Sequence, residues 1–244
     1  VPADVLHSPV LETLGRRITG GEVPAGTVLT LQGLGAEFGI SRTVAREVMR
    51  LLEGLGLVRS SRRVGLVVLA IDSWNVLDPR VILWRLAGPG RVAQLRSLTE
   101  LRHAVEPLAA AGAARHASAE VRSEITDIAA RMRLLGEAGA GREAEFLALD
   151  IRMHELLLRS SGNELFGAFS EVIAAVLSGR TAIGLMPASP VPTALAEHEA
   201  VARAVALGDP AAAQRAMSAI VDEVQGAIPG VLPQGVEETA GAPG

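Results

Sequence analysis

The chain has 244 residues, 49% of them hydrophobic and 2% aromatic, with a formal net charge of −4 and no cysteine. This is enough apolar material for one large domain or two ordinary ones, and it excludes general disorder, disulfides and thiolate metal sites. A core this poor in aromatics must be built from Leu, Val, Ile and Ala, which favours helices. Neither a basic-apolar leader nor an apolar run near the ~20 residues of a membrane span is apparent, so a cytoplasmic protein without a membrane partner is expected.

All 23 cationic residues are arginine. Residues 1–69 hold 8 Arg against 6 Asp and Glu, and the remainder 15 against 21, so only the first part is net positive. An acidic chain with a basic N-terminal segment suits nucleic acid at that end alone.

In chain order, apolar Val10, Leu11, Leu14 and Ile18 predict a short helix over Val10–Ile18, broken by "TGGEVPAG". "LQGLGAEF" predicts a second short helix, weakened by two internal glycines. Gly39 and Ile40 then form a turn, and Ser41 is placed to cap the next helix. Over residues 41–55, Val44, Val48, Leu51, Leu52 and Leu55 form one stripe of period 3.6. "LVRSSRRVGLVVLA" predicts a hairpin with Arg62, Arg63 and Gly65 near its tip. "DSWNVLDPRVILWRLAGPG" reads as a connector with a short helical piece, in which Trp74 and Trp84 are expected to pack against the helical half that follows. Helical patterns then cover Val92–Ala117, Ala119–Glu137, Arg142–Ser160, Glu164–Thr181, Thr193–Ala206 and Pro210–Ala227. The expected fold is mainly α, with short helices and a hairpin over 1–72, a linker over 73–91, an all-helical bundle over 92–228 and a disordered tail over 229–244.

A helix that enters the DNA major groove needs cations and donors on its outer face and an apolar face held by its neighbours. Ser41, Arg42, Thr43, Arg46 and Arg50 meet that requirement, and Arg59, Arg62 and Arg63 are placed to grip phosphates. The competing reading is a solvated face whose arginines pair with Glu47 or Glu53. "GISRTVAREVMRLLEGLGLV", residues 39–58, resembles the recognition-helix signature of the GntR family of bacterial winged-helix repressors, and "RSSRRVGLVV" resembles its wing. The resemblance implies that Arg42 and Arg46 make the main DNA contacts, helped by Ser41, Thr43 and the wing near Gly65. Two departures stand out. Val44 occupies a position where the family usually has proline, and Gln32-Gly33 occupies the place of a Glu-Arg pair.

"TELRHAVEPLAA", "LDIRMHELLLRSSGNELF" and "LAEHEAVARAVALGDPAAAQRAM" resemble helices of the effector domain in the FadR-type branch of that family. Asp150 and His154, four apart, share a helix face, and a carboxylate and imidazole so placed can share a divalent cation, zinc or similar. His198 is a candidate third ligand. The metal-binding members carry a further histidine where this chain has Ile220, so the same residues are alternatively direct hydrogen-bonding partners of an effector. The resemblance makes Arg102 a candidate clamp for an effector carboxylate, against a plain ion pair with Glu106 or Glu100. Asn163 is a turn or cap residue that is also a pocket candidate, and Arg180 is a candidate at the pocket mouth. "SWNVLDPRVILWRL" and the later helices resemble a sub-branch whose inducers are sugar acids, such as galactonate or gluconate. The resemblance implies a winged helix-turn-helix over 1–72, an effector-binding bundle over 92–228 and a homodimeric repressor on palindromic operator DNA. A helical metal-dependent hydrolase with Glu155 as base, and a DNA-binding protein without effector response, are the alternatives.

Overall fold

A computed structural model of the chain describes residues 3–61 and 65–227. They form two compact units, Val1–Gln94 and Leu95–Gly244.

The first unit opens with α1 (Ala3–Thr19), then β1 (Val28–Leu29), α2 (Leu31–Phe38) and α3 (Arg42–Gly54). Local signals set these boundaries. Thr30 Oγ1 caps α2 by accepting from Gly33 N, and Gly39 ends the helix in the left-handed region at φ 64°. Ser41 Oγ accepts from Val44 N at 3.3 Å and starts α3. That N–H exists because residue 44 is valine; a proline there would leave the cap without this donor. Val44, Val48 and Leu52 turn inward from α3 onto Leu14 and Ile18 of α1. Each such side chain withdrawn from water contributes about 1.5–3 kcal/mol. β2 (Val58–Ser61) and β3 (Gly65–Val68) pair antiparallel with Val58 opposite Val68, and β1 adds to the outer side of β3. A Cβ on Gly65 would come 2.7 Å from Leu29 O, so β1 can lie against β3 only because residue 65 is glycine. Arg62 and Arg63 lie outside the described residues.

After a 3-10 turn (Ile71–Ser73), α4 (Pro79–Ala87) follows. Residues 73–91, expected as a linker, thus carry a helix built into the first unit. Trp84 corrects the sequence expectation: it is 2% exposed, sits in the core of the first unit and donates from Nε1 to Glu12 Oε2 at 2.7 Å. Gly15 on α1 leaves the space that the indole fills. Trp74 packs against the same core and donates to Leu69 O at 2.9 Å.

The second unit is all helical: most of α5 (Arg91–His116), then α6 (Ala119–Glu137), α7 (Ala144–Arg159), α8 (Glu164–Gly167), α9 (Ser170–Ala182), α10 (Pro192–Leu207) and α11 (Pro210–Ala227). A row of alanines, Ala110, Ala113 and Ala114, lets α5 approach its neighbours closely, around Ile125, Met153 and Val201. Arg122 ties two helix ends together. Its guanidinium donates to Ala114 O and Ala117 O at the end of α5 and to Val205 O at the end of α10, a cation placed on two C-terminal dipoles. The single helix expected over Glu164–Thr181 is two, divided by a turn at residues 168 and 169. Among the described residues, Glu164–Ala182 is the one stretch long and apolar enough to cross a membrane, and that turn interrupts it.

Candidate DNA-binding face and effector cavity

On α3, Ser41, Arg42, Thr43, Arg46 and Arg50 are all exposed, opposite the buried stripe. Arg50 lies 3.6 Å from Glu47. Glu53 is not a partner for the arginines: its Oε1 accepts from Ser60 N at 2.8 Å and fastens β2 to the end of α3. Among the described residues no carboxylate reaches Arg42, Arg46 or Arg59. Arg42 and Arg46 are thus cations on this face that no carboxylate among the described residues neutralises.

In the second unit a partly enclosed cavity of about 170 Å³ lies between α5, α7, α9, α10 and α11. Arg102, Asp150, His154, Arg180 and His198 all line it. Phe146, Leu177, Leu195 and Ile220, with Leu185, Met186 and Pro187 of the loop after α9, supply apolar walls. That loop is held by Arg142 Nε donating to Met186 O at 2.9 Å and Gly141 N to Ala188 O at 2.7 Å.

Asp150 Oδ1 is the centre of the polar cluster. His154 Nε2 approaches it at 3.4 Å and His198 Nε2 at 3.3 Å, with the two rings nearly perpendicular at 83°. The three ligating atoms lie within 4.8 Å of one another. The far nitrogen of each ring is already engaged. His198 Nδ1 is 2.7 Å from Ala194 O, a carbonyl that can only accept, so this nitrogen carries a proton. His154 Nδ1 faces Glu106 Oε2 in a buried ion pair. In neutral rings of these tautomers, both Nε2 lone pairs point at a carboxylate oxygen. Such a convergence needs a positive charge in its midst, a proton or a cation.

Burial works against every charge here, and the partners outweigh it. For His154, burial lowers the pKa, but the carboxylates of Glu106 and Asp150 raise it to about 9. Burial raises Glu106, but the neighbouring Arg102 and His154 bring it to about 2. Asp150, equally buried, is held well below the usual carboxylate range by hydrogen bonds from His154 and His198.

Arg102 is 1% exposed, and its Nε ion-pairs Glu106 Oε1. The two sequence readings of this residue are thus compatible: Nε is spent on Glu106, yet Nη1 and Nη2 meet no acceptor among the described residues. Arg180 Nε is also buried without a partner. Burial, and then the charge of nearby Arg102, lower the Arg180 pKa to about 10. Two guanidiniums with idle donors beside one cavity are costly when empty and complementary to an anion.

Asn163 does not line this cavity; its Oδ1 accepts from Leu165 N at 3.0 Å and caps α8. Glu155 is also elsewhere, paired on the outside of α7 with Arg152 at 2.9 Å and Arg159 at 2.8 Å. Sequence reasoning missed Glu106 as the partner of His154 and missed Glu223 on the cavity wall. The i, i+4 spacing of Arg102 and Glu106 was the available signal for the first.

A winged helix-turn-helix followed by a helical bundle around a charged cavity defines a DNA-binding transcriptional regulator. Residues 6–68 match the family "Bacterial regulatory proteins, gntR family", and residues 97–223 match the FCD domain. The chain belongs to the GntR family and carries an FCD domain, in a family of transcriptional regulators, not enzymes. It is 31% identical over 211 residues to the galactonate operon transcriptional repressor of Escherichia coli K12, covering 85% of this chain and 90% of that protein. It is 30% identical to the uncharacterized HTH-type transcriptional regulator YieP of the same organism, over 68% of this chain and 71% of that one. A solved structure of Lar, which controls expression of the Listeria monocytogenes agr system, shares the fold with a TM-score of 0.60 at 15% identity, over 95% of this chain and 98% of that one. Regulators of this family bind operator DNA and small-molecule effectors.

Proposed function

We propose that this chain is a repressor released from its operator by a small sugar acid, with galactonate and gluconate the leading candidates. The observation that carries the reading is the pair of unpartnered Arg102 donors, Nη1 and Nη2, on a buried cavity wall. A guanidinium presents two parallel N–H groups at the spacing of a carboxylate's oxygens, so the idle fork suits an acid. The size of the cavity and its mixture of polar and apolar walls suit a small polyol chain. The 31% identical relative is a galactonate operon repressor, which supports the same ligand class.

In this reading residues 1–72 read DNA and 92–228 hold the effector. Arg42 and Arg46 contact base edges, Ser41, Thr43 and Arg50 fix the helix on the backbone, and the wing from Arg59 through Arg62, Arg63 and Gly65 grips phosphates. A homodimer sets two recognition helices on the half-sites of a palindrome. The acid can shift the DNA-binding equilibrium only by the difference in its affinity for the two states of the protein.

Asp150, His154 and His198 fit a divalent ion such as zinc: one oxygen and two imidazole nitrogens converge, and Glu106 and Ala194 O orient the rings from behind. Ile220 on the same wall brings no further ligand atom. A bound ion would add positive charge and open coordination positions beside the arginines. With or without it, Arg102 and Arg180 hold the carboxylate while the apolar walls exclude water. The reading is tested by isothermal titration of the full chain with a panel of aldonic acids and uncharged sugars. It requires saturable binding of at least one acid and none of the matching neutral sugar; heat with the neutral sugar alone would refute it.

A further inference from the structure

The cavity is polarised along its depth. Its floor holds Arg102, 1% exposed, with both Nη donors idle. Its rim holds Glu223, an exposed residue of α11 on the same wall. Among the described residues no hydrogen bond or ion pair engages the Glu223 carboxylate. It is nevertheless partly withdrawn from water, which raises its pKa, as does the neighbouring Glu197; His198 and Arg180 act in the opposite direction. Arg180 lines the same cavity and feels the charges of both Arg102 and Glu223. Glu106 and Asp150 balance much of the buried positive charge, so the contrast is between idle Arg102 donors at the buried end and an unpaired Glu223 carboxylate at the exposed one.

A ligand that satisfies Arg102 must enter carboxylate first. Its far end then lies by Glu223. A terminal hydroxyl there donates a hydrogen bond to the carboxylate, whereas a second carboxylate meets the like charge of Glu223. Arg180, whose charge also acts on Glu223, moderates that repulsion without removing it, which keeps the discrimination modest.

We propose that Glu223 is a specificity-determining residue of the effector cavity, selecting polyhydroxy monocarboxylic acids and rejecting diacids of the same carbon skeleton. The inference rests on the reading of this cavity as an acid-binding site.

D-galactonate and galactarate make a matched pair of probes. They share carbon chain and hydroxyl configuration and differ only at C6, a CH2OH in one and a carboxylate in the other. Titrated into the full-length protein, galactonate should bind at least about tenfold more tightly than galactarate, a modest ratio because a solvated rim screens the charge. In Glu223→Gln the ratio should shrink to within about threefold, chiefly through tighter galactarate binding. Gluconate and glucarate repeat the comparison in the other hydroxyl configuration. Equal affinity for both members of a pair that binds wild type, or a ratio unmoved by Glu223→Gln, overturns the assignment while leaving the acid-binding reading intact. Wild-type protein that binds no member of either pair overturns the acid-binding reading and this assignment with it.

Discussion

Replacing Arg102 with methionine is the perturbation whose consequences the structure sets out most fully. The substitution keeps a long side chain but removes the fork. On the binding side, removing one partner of a buried, hydrogen-bonded charge pair costs about 2–5 kcal/mol, and each 1.4 kcal/mol is tenfold. Acid binding should therefore weaken by about 30-fold at the least. On the stability side two effects oppose each other. Glu106 loses the Arg102 Nε–H but keeps His154, while two buried donors without acceptors disappear. The net loss should fall below the 3–5 kcal/mol or so typical of a broken buried pair. Arg102→Lys, which keeps the charge but not the fork, should recover only part of the affinity. Isothermal titration measures the binding, circular dichroism the fold, and fluorescence anisotropy on operator DNA the first unit, which should be unaffected. A folded Arg102→Met protein that binds the acid within about threefold of wild type would refute the reasoning.

On the DNA face, Arg46→Ala should weaken specific DNA binding by about 1–3 kcal/mol, and Arg50→Ala by less, since Arg50 already lies 3.6 Å from Glu47; equal losses in anisotropy titrations would argue against that ranking. Zinc added to chelator-stripped protein should raise Tm, by the equivalent of about 2.7 kcal/mol at a hundredfold excess over Kd, and His198→Ala should abolish the rise; an undiminished rise in that variant would count against the three-residue site. The metal-free protein should also show a Tm maximum between about pH 5 and 6.5. Glu106 and Asp150 titrate lower in the fold than in the unfolded chain, so their stabilisation is full above their ordinary values and is lost as pH falls, for Glu106 through about 2. His154 is raised, so its contribution is full below about 6.5 and is lost as pH rises through about 9. A Tm unchanged from about pH 6 to 10 would contradict the buried ion pair with Glu106.

The parts of this account that the sequence carried were local. The cap at Ser41, the stripe of Val44, Val48 and Leu52, and the shared face of Asp150 and His154 all follow from spacing within one helix. The partners of those residues came from other helices, where spacing says nothing. Glu106 meets His154 across α5 and α7, and His198 meets Asp150 across α10 and α7. Trp84 was legible as a buried residue, but not which core it would enter; Gly15, with no side chain of its own, makes the room on α1. The two residues of β1 are too few to show alternation. The break between α8 and α9 falls at Ala168 and Phe169, which carry no turn signature; Phe169 packs against the cluster of Val105, Ile173 and Leu177, so tertiary contacts set that boundary.

The central claim is that an acid in the second unit governs DNA binding by the first. It is tested most directly by fluorescence anisotropy on the DNA immediately upstream of this chain's own gene, titrated with galactonate, gluconate and related sugar acids. The account predicts tight, sequence-specific binding that one acid reverses, and no reversal in Arg102→Met. Specific binding that no acid disturbs would contradict it.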